Sequence, residues 1–295
     1  MPDMPLNKPI DLFRLMRPHQ WLKNGFVFIG LFFSHAWHDM TLVAQVMLAA
    51  LSFCLAASSI YIFNDISDRE KDKIHPDKKH RPLAAGKVSS SIALILGLLL
   101  AGSSLGIGLA SSAKVAVILL TYIVLNCLYS WVLKQIVIID VFCIASGFML
   151  RILAGTVGVN IPPSKWLLFC GLTLTLFLGF TKRRAEMESL GENKVGHRKV
   201  FEHYSKTLLD KFISVTATMV ILSYSLYTMS PETINVHGTA NIIYTVPFII
   251  YGIFRYIYLL HICGGGNDPS SELIRDPHIL ATVILWLLLT LWIIA

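Results

Sequence analysis

The sequence predicts an all-α, polytopic membrane protein, and three observations support this fold class. Of the 295 residues, 55% are hydrophobic and only 15% are charged, with a mean hydropathy of +0.63. A soluble domain of this length would need a far more polar surface. Uncharged runs of nearly membrane-spanning length recur along the whole chain. The basic residues fall almost entirely between alternate runs, as in a protein that crosses a membrane repeatedly.

Nine runs are candidates for membrane-spanning helices, each compared with the about 20 residues that a helix needs to cross a bilayer. They cover residues 24–38, 40–64, 88–113, 115–133, 135–150, 166–181, 212–231, 233–254 and 277–295. The first and sixth runs are short, and the fifth contains Asp140. We therefore expect about nine helices in one transmembrane domain over residues 1–295, with polar loops at about 65–87 and 182–211.

The distribution of basic residues predicts the orientation in the membrane. With nine spans and a cytoplasmic N-terminus, 22 of the 25 Lys and Arg residues lie on the cytoplasmic side or at its boundary. This bias predicts a multi-pass protein of the cell (inner or plasma) membrane, with the N-terminus and both polar loops inside and the C-terminus outside. The net charge of +7 fits a face that meets lipid headgroups or a polyanionic substrate. Nucleic acid is not expected as a partner, because no soluble domain is present to carry a groove-binding surface.

An acidic patch where the second run ends is the most informative feature of the chain. At 3.6 residues per turn, one helical stripe about 100° wide carries Tyr61, Asn64, Asp65, Asp68 and Asp72. Like charges at these spacings repel, whereas a divalent cation between them would make the arrangement favourable. Oxygen-only ligands suit magnesium, which commonly bridges to phosphate. The stripe therefore predicts an enzyme.

Basic residues follow the stripe and also open the second polar loop. The first loop carries Lys78 and Arg81. The second loop carries the basic residues Lys182, Arg183, Arg184 and Arg198, together with the carboxylate of Glu186. Carboxylates that hold a metal, next to cations that hold phosphate oxygens, predict a site for a metal–diphosphate complex. The second loop is then a clamp for another phosphate, although ordinary positive-inside flanking also explains its charge.

Five further polar residues lie next to or inside the predicted spans. Arg17 and Lys23 precede the first span and either reach lipid headgroups or bind phosphate, while Asn24 needs a polar cavity. Asp140 and Arg151 lie within a span, where charge is costly and marks a functional or paired site. On one helix they are about 16 Å apart, which is too far for them to pair with each other. Each therefore needs another partner, either elsewhere in the bundle or in a wet cavity.

With these residues in view, the chain resembles the UbiA superfamily of intramembrane prenyltransferases. The sequence Asn64-Asp65-x-x-Asp68-x-x-x-Asp72 is similar to the first aspartate-rich motif of that superfamily. Five further stretches are similar to the decaprenyl-phosphate phosphoribosyltransferase branch of that superfamily. They are Arg17-Pro18-x-Gln20-Trp21-x-Lys23-Asn24, Arg81-Pro82-x-Ala84-x-Gly86, Asp140-Val141, Leu150-Arg151 and Lys182-Arg183-Arg184-x-Glu186. Superfamily members that attack aromatic rings usually carry a second aspartate-rich motif after helix six, and here that loop is basic. This departure favours a donor that bears an extra phosphate.

The resemblance implies a UbiA-like bundle with a cytoplasm-facing cavity. It implies transfer of 5-phosphoribosyl from 5-phosphoribosyl 1-diphosphate to a polyprenyl (decaprenyl-type) phosphate, with release of diphosphate. Asp65, Asp68 and Asp72 would hold Mg2+ on the diphosphate, with Asn64 beside them. Three alternatives remain open: a prenyltransferase that joins a polyprenyl diphosphate to an aromatic or other small acceptor, a lipid or ion transporter, and a membrane scaffold.

Overall fold

A computed structural model describes residues 7–74, 78–189, 199–265, 272 and 274–294. Twelve α-helices are defined within these residues. They are α1 (Pro9–Leu15), α2 (Ile29–Phe33), α3 (Met40–Ser67), α4 (Arg69–Ile74), α5 (Ser90–Ser111), α6 (Ala113–Trp131), α7 (Ile139–Ala154), α8 (Lys165–Ser189), α9 (Lys206–Met229), α10 (Pro231–His237), α11 (Val246–Ile262) and α12 (Pro277–Ile294). Eight helical segments of the described chain are long and apolar enough to cross a membrane. The predicted all-α, multi-pass membrane fold is confirmed.

The first predicted span has a different backbone from the others. Predicted at residues 24–38, it begins inside a 3₁₀ helix over Pro18–Phe28 that continues directly into α2. At about 2.0 Å per residue in the 3₁₀ part and about 1.5 Å in the α part, the two together extend about 30 Å. That length matches the hydrocarbon core of a bilayer. The segment is therefore comparable in reach to a span, although it is not one of the eight long helices.

Two compact units make up the fold. The first comprises Met1–Ser130 with Leu150–Ile161, and the second comprises Trp131–Met149 with Pro162–Ala295, so α7 contributes to both. In the first unit, one apolar core forms around Phe53 and Leu119 and a smaller one around Ile62 and Leu83. The core of the second unit contains buried aromatic and aliphatic side chains of α8, α9 and α11, including Phe177.

Within the first unit, two glycines allow the 3₁₀ segment and the end of α7 to cross at very short range. A Cβ atom added to Gly155 would lie 1.7 Å from the backbone oxygen of Val27, and one added to Gly30 would lie 2.3 Å from the oxygen of Gly155. Neither contact is possible for a real side chain. The crossing therefore requires glycine, and it fixes the segment that carries Arg17, Lys23 and Asn24 against α7.

Gly155→Ala is expected to destabilise the protein by about 2 kcal/mol or more, because the new methyl group must displace backbone atoms. Thermal unfolding in detergent measures the effect. Gly102→Ala in α5 is the matched control, since its Cβ would have no heavy atom within 4 Å and alanine favours a helix. Equal unfolding midpoints for the two variants would contradict the close crossing.

Candidate functional site

The predicted acidic stripe exists, although it spans two helices. Helix α3 ends at Ser67 and α4 begins at Arg69. Backbone hydrogen bonds nevertheless run from the Asp68 N–H to the Asn64 oxygen (2.9 Å) and from the Asp72 N–H to the Asp68 oxygen (2.8 Å). The i to i−4 register therefore continues through the break. As a result Asp65 and Asp72 lie on the same face of the two consecutive helices. Both residues are buried, with 3% and 4% of their surface exposed.

Two arginines from other parts of the first unit neutralise these buried carboxylates. Arg17 donates from Nη2 to Asp65 Oδ1 at 2.5 Å. Arg81 donates from a single nitrogen, Nη1, to Asp65 Oδ1 at 3.1 Å and to Asp72 Oδ2 at 2.6 Å. The Arg17 guanidinium also lies over the Tyr61 ring, 5.1 Å from its centroid. The structure thus brings together five residues that the sequence predicted for the site.

The other two polar residues of the stripe have different surroundings. Asn64 accepts a hydrogen bond through Oδ1 from the Ser130 hydroxyl at 2.6 Å. Asp68 is half-buried, and no ion pair or side-chain hydrogen bond joins it to another described residue. Among the described residues, Asp68 is therefore the stripe carboxylate without an arginine partner.

Asp65, Asp68 and Asp72 stay the predicted metal ligands. Among the described residues, no three His, Cys, Asp or Glu side chains form a ready metal site. The physical reason is that Arg81 occupies the position between Asp65 and Asp72. The donor set still fits a hard divalent cation, because two buried carboxylates already direct oxygens at one shared positive charge. Asp68 supplies a further carboxylate on the same stripe.

Inside the first unit, Arg151 is a buried guanidinium with 5% exposure. It donates from Nε to Asn24 Oδ1 at 2.7 Å and from Nη2 to the Tyr122 hydroxyl at 3.2 Å. Its Cζ also lies 4.8 Å from the ring centroid of Tyr122 and 5.4 Å from that of Phe53. Asn24, which was predicted to need polar surroundings, therefore has Arg151 as a polar contact. Tyr122 and Phe53 were not predicted; the signal for them was that a charge within a span needs partners on neighbouring helices.

In the second unit, Asp140 and Arg183 form a buried ion pair. Asp140 has 0% and Arg183 has 1% exposure. Arg183 donates from Nε to Asp140 Oδ2 at 2.5 Å, and the Tyr204 hydroxyl donates to Asp140 Oδ1 at 2.9 Å. Glu186 pairs with the same arginine from the next turn of α8. This pairing satisfies the need of Asp140 for a partner elsewhere in the bundle.

Tyr204, whose role the sequence did not predict, connects this ion pair to the turn before α7. Its hydroxyl accepts a hydrogen bond from the Ile138 N–H at 2.7 Å. Ile138 has φ +70°, a left-handed conformation that is rare and strained for a β-branched residue. Burial raises the pKa of the Tyr204 hydroxyl, and the Asp140 carboxylate adds to the rise. The hydroxyl therefore stays protonated as a donor to Asp140.

The remaining predicted basic residues lie nearer to the surface or outside the described chain. Arg184 donates to Asp210 at 2.9 Å and also pairs with Glu188. Lys182 and Lys78 are half-buried, and Lys23 donates to Gln20. Arg198 lies outside the described residues. Arg183 is thus buried in an ion pair, whereas its neighbours Lys182 and Arg184 lie nearer to the surface; a phosphate-binding role for the three stays a prediction.

Long apolar helices with carboxylate–arginine clusters define a multi-pass membrane protein with an ionic site. The sequence matches the model of the UbiA prenyltransferase family over residues 25–271, and the chain belongs to that family. The resemblance found in its motifs is confirmed, and the protein is a membrane transferase.

Two relatives and one solved structure illustrate the likeness. The chain is 32% identical to the decaprenyl-phosphate phosphoribosyltransferase of Mycolicibacterium smegmatis, over 96% of this chain and 92% of that protein. It is 32% identical to the protein of the same name from Corynebacterium glutamicum, over 96% and 86%. The structure of a UbiA homologue from Archaeoglobus fulgidus bound to GPP and Mg2+ has a TM-score of 0.72 at 19% identity, over 96% of this chain and 99% of that one. At that identity the structural likeness concerns the fold.

Proposed function

We propose that this enzyme transfers 5-phosphoribosyl from 5-phosphoribosyl 1-diphosphate to a polyprenyl phosphate and releases diphosphate. The observation that carries the proposal is the pairing of two buried carboxylates with Arg17 and Arg81. A site that combines acids and arginines complements a metal ion together with its diphosphate, because the acids hold the metal and the arginines hold phosphate oxygens. The names of the relatives at about 30% identity support the donor and acceptor classes.

Mg2+ is the proposed cofactor, with Asp65, Asp68 and Asp72 as its ligands. The donor set of hard oxygens supports this choice, and so does the Mg2+ bound by the Archaeoglobus homologue. When bound, the ion would offset the charge that develops on the diphosphate as it leaves. Asn64, held by Ser130, lies on the same helix face and keeps an amide group beside the carboxylates.

In the proposed reaction, the bond between C1 of the ribosyl group and a diphosphate oxygen breaks, and the electron pair leaves with diphosphate. A bond then forms between C1 and an oxygen of the lipid phosphate. That oxygen is already anionic at neutral pH, so the reaction needs no protein base. Arg17 and Arg81 would donate hydrogen bonds to phosphate oxygens. Lys23 is the proposed contact for the acceptor phosphate, since it lies on the segment that carries Arg17.

We place this site on the cytoplasmic side of the cell membrane. The concentration of 22 of the 25 basic residues on the side of the two polar loops supports this orientation. The donor is a water-soluble sugar phosphate, which reaches a cytoplasmic site without crossing the bilayer. The lipid acceptor presents its phosphate at the same surface.

The proposal predicts that the purified enzyme with Mg2+ converts labelled 5-phosphoribosyl 1-diphosphate and a polyprenyl phosphate into a labelled lipid. Labelled ribose 5-phosphate is the matched control, because it lacks the diphosphate leaving group and should give none. Chelation of divalent cations should abolish the product. If the enzyme instead joins a labelled polyprenyl diphosphate to an aromatic acceptor and makes no phosphoribosyl lipid, the alternative prenyl-transfer function is correct.

A further inference from the structure

Arg81 occupies the position in which a cation between Asp65 and Asp72 would lie. One nitrogen of its guanidinium contacts an oxygen of each carboxylate, at 3.1 and 2.6 Å. The exposed fraction of the side chain is 3% for Asp65 and 5% for Asp72, whereas it is 29% for Arg81. The arginine therefore reaches in from the outside of the site to two acids that water hardly contacts. A metal ion bound to the same oxygens would have to displace it.

The backbone of Arg81 is anchored, so that an exchange of partners involves the side chain alone. Its carbonyl accepts from the Ala85 N–H at 2.8 Å, and its own N–H donates to the Lys78 oxygen at 3.0 Å. Leu83, two residues further on, is 1% exposed in the core with Ile62. The guanidinium can therefore turn on its flexible stem while the chain that carries it stays in place.

Arg17 is held differently: it donates to the same Asp65 oxygen as Arg81 but does not bridge the two carboxylates. It contacts Asp65 and stacks on Tyr61, and no bond joins it to Asp72 among the described residues. The cation–π contact favours its present orientation. Among the described residues, Arg81 is the one of the two arginines that contacts both carboxylates. Its departure would free Asp72 Oδ2 and leave Asp65 Oδ1 with Arg17 as its arginine partner.

We propose that Arg81 is an exchangeable counter-ion that couples metal binding to diphosphate binding. This inference rests on the proposed metal–diphosphate site. In the substrate-free protein Arg81 neutralises Asp65 and Asp72. When the metal enters with diphosphate, Arg81 leaves the carboxylates and donates to phosphate oxygens, for which its planar fork is well suited. The metal alone offers Arg81 no new partner, so that metal and diphosphate bind cooperatively.

The coupling predicts that one variant gains affinity for the metal and loses affinity for diphosphate. Arg81→Met, which keeps the length of the side chain and removes its charge, is expected to bind Mn2+ without diphosphate about tenfold more tightly than the wild type. The same variant with saturating Mn2+ is expected to bind inorganic diphosphate about tenfold more weakly. Electron paramagnetic resonance of free Mn2+ measures the first quantity, and competition with labelled diphosphate measures the second.

Three further variants make the result decisive. Arg69→Met, which removes an arginine on α4 that contacts Ser90, controls for the lost charge and should leave both affinities near the wild-type values. Asp72→Asn should weaken Mn2+ binding in either background, which locates the ion at the carboxylates. Arg81→Lys, whose single ammonium lacks the planar fork but keeps the charge, should give intermediate values and remains informative if Arg81→Met does not fold.

Unchanged or weaker Mn2+ binding in both Arg81 variants would overturn the proposal, as would tight, diphosphate-independent Mn2+ binding by the wild type. Both probes are common to every diphosphate donor. A failure of the labelled-lipid assay with a positive exchange result would therefore reject the phosphoribosyl donor and leave the role of Arg81 intact. A labelled lipid product together with a negative exchange result would reject the role of Arg81 and leave the phosphoribosyl donor intact.

Discussion

Asp72→Asn is expected to lower transferase activity by about 10²-fold or more while the protein remains folded. The amide removes one anionic oxygen from the pair that faces Arg81 and leaves Asp65 as the carboxylate that opposes it. If the two acids hold a cation on the departing diphosphate, the variant should slow the step in which the bond between C1 and the diphosphate oxygen breaks, because negative charge develops on the diphosphate in that step. Initial rates at saturating donor and Mg2+ measure this effect.

Glu70→Gln provides the matched control for Asp72→Asn. Glu70 lies on the same short helix, α4, and undergoes the same change of carboxylate to amide. Its side chain is exposed and pairs with Lys73 at 2.7 Å, away from the buried pair. An exposed ion pair of this kind contributes little to stability, and activity should stay within about twofold of the wild type. Similar activity losses in both variants would mean that general charge near the membrane, and not the buried pair, is what matters.

The helix register of the acidic stripe could be predicted from the sequence because it depends on local geometry. Residues three, four and seven apart share a helix face whatever surrounds them, so Asp65 and Asp72 remain together even though α3 and α4 are separate helices. The charge of the first polar loop predicted Arg81 for the site, but helix register cannot show that its side chain contacts Asp65 and Asp72. Its side chain reaches the two acids through the conformation of an irregular segment, and no periodicity describes such a segment.

The grouping of Arg183 with Lys182 and Arg184 shows a second limit of sequence reasoning. The three are adjacent in sequence and were predicted to act together as a phosphate clamp. On a helix, however, successive residues point about 100° apart, and α8 turns Arg183 inward to Asp140 and Arg184 outward to Asp210. The cost of a charge in a span correctly indicated that Asp140 needs a partner. The identity of that partner depends on how α7 and α8 pack.

Asp140→Leu is expected to destabilise the protein by about 3–5 kcal/mol, because Arg183 would remain buried without its carboxylate. The midpoint of thermal unfolding in detergent should fall by roughly 10 °C or more. Asp210→Leu is the matched control: Asp210 also pairs with an arginine but is 38% exposed, so its loss should cost about 1 kcal/mol or less. Equal losses of stability in the two variants would contradict the buried pair.

The double variant Asp140→Leu/Arg183→Met separates a positioning role from direct phosphate binding. Removal of both charges leaves neither ion uncompensated, so much of the lost stability should return. If Arg183 positions the end of α8, the double variant should keep a KM for the donor within about threefold of the wild type. If Arg183 binds a phosphate group of the donor, stability returns but KM rises by about tenfold or more, since a charged hydrogen bond contributes about 1.5–3 kcal/mol. Because only the second outcome requires Arg183 to leave Asp140, its burial at 1% exposure favours the first.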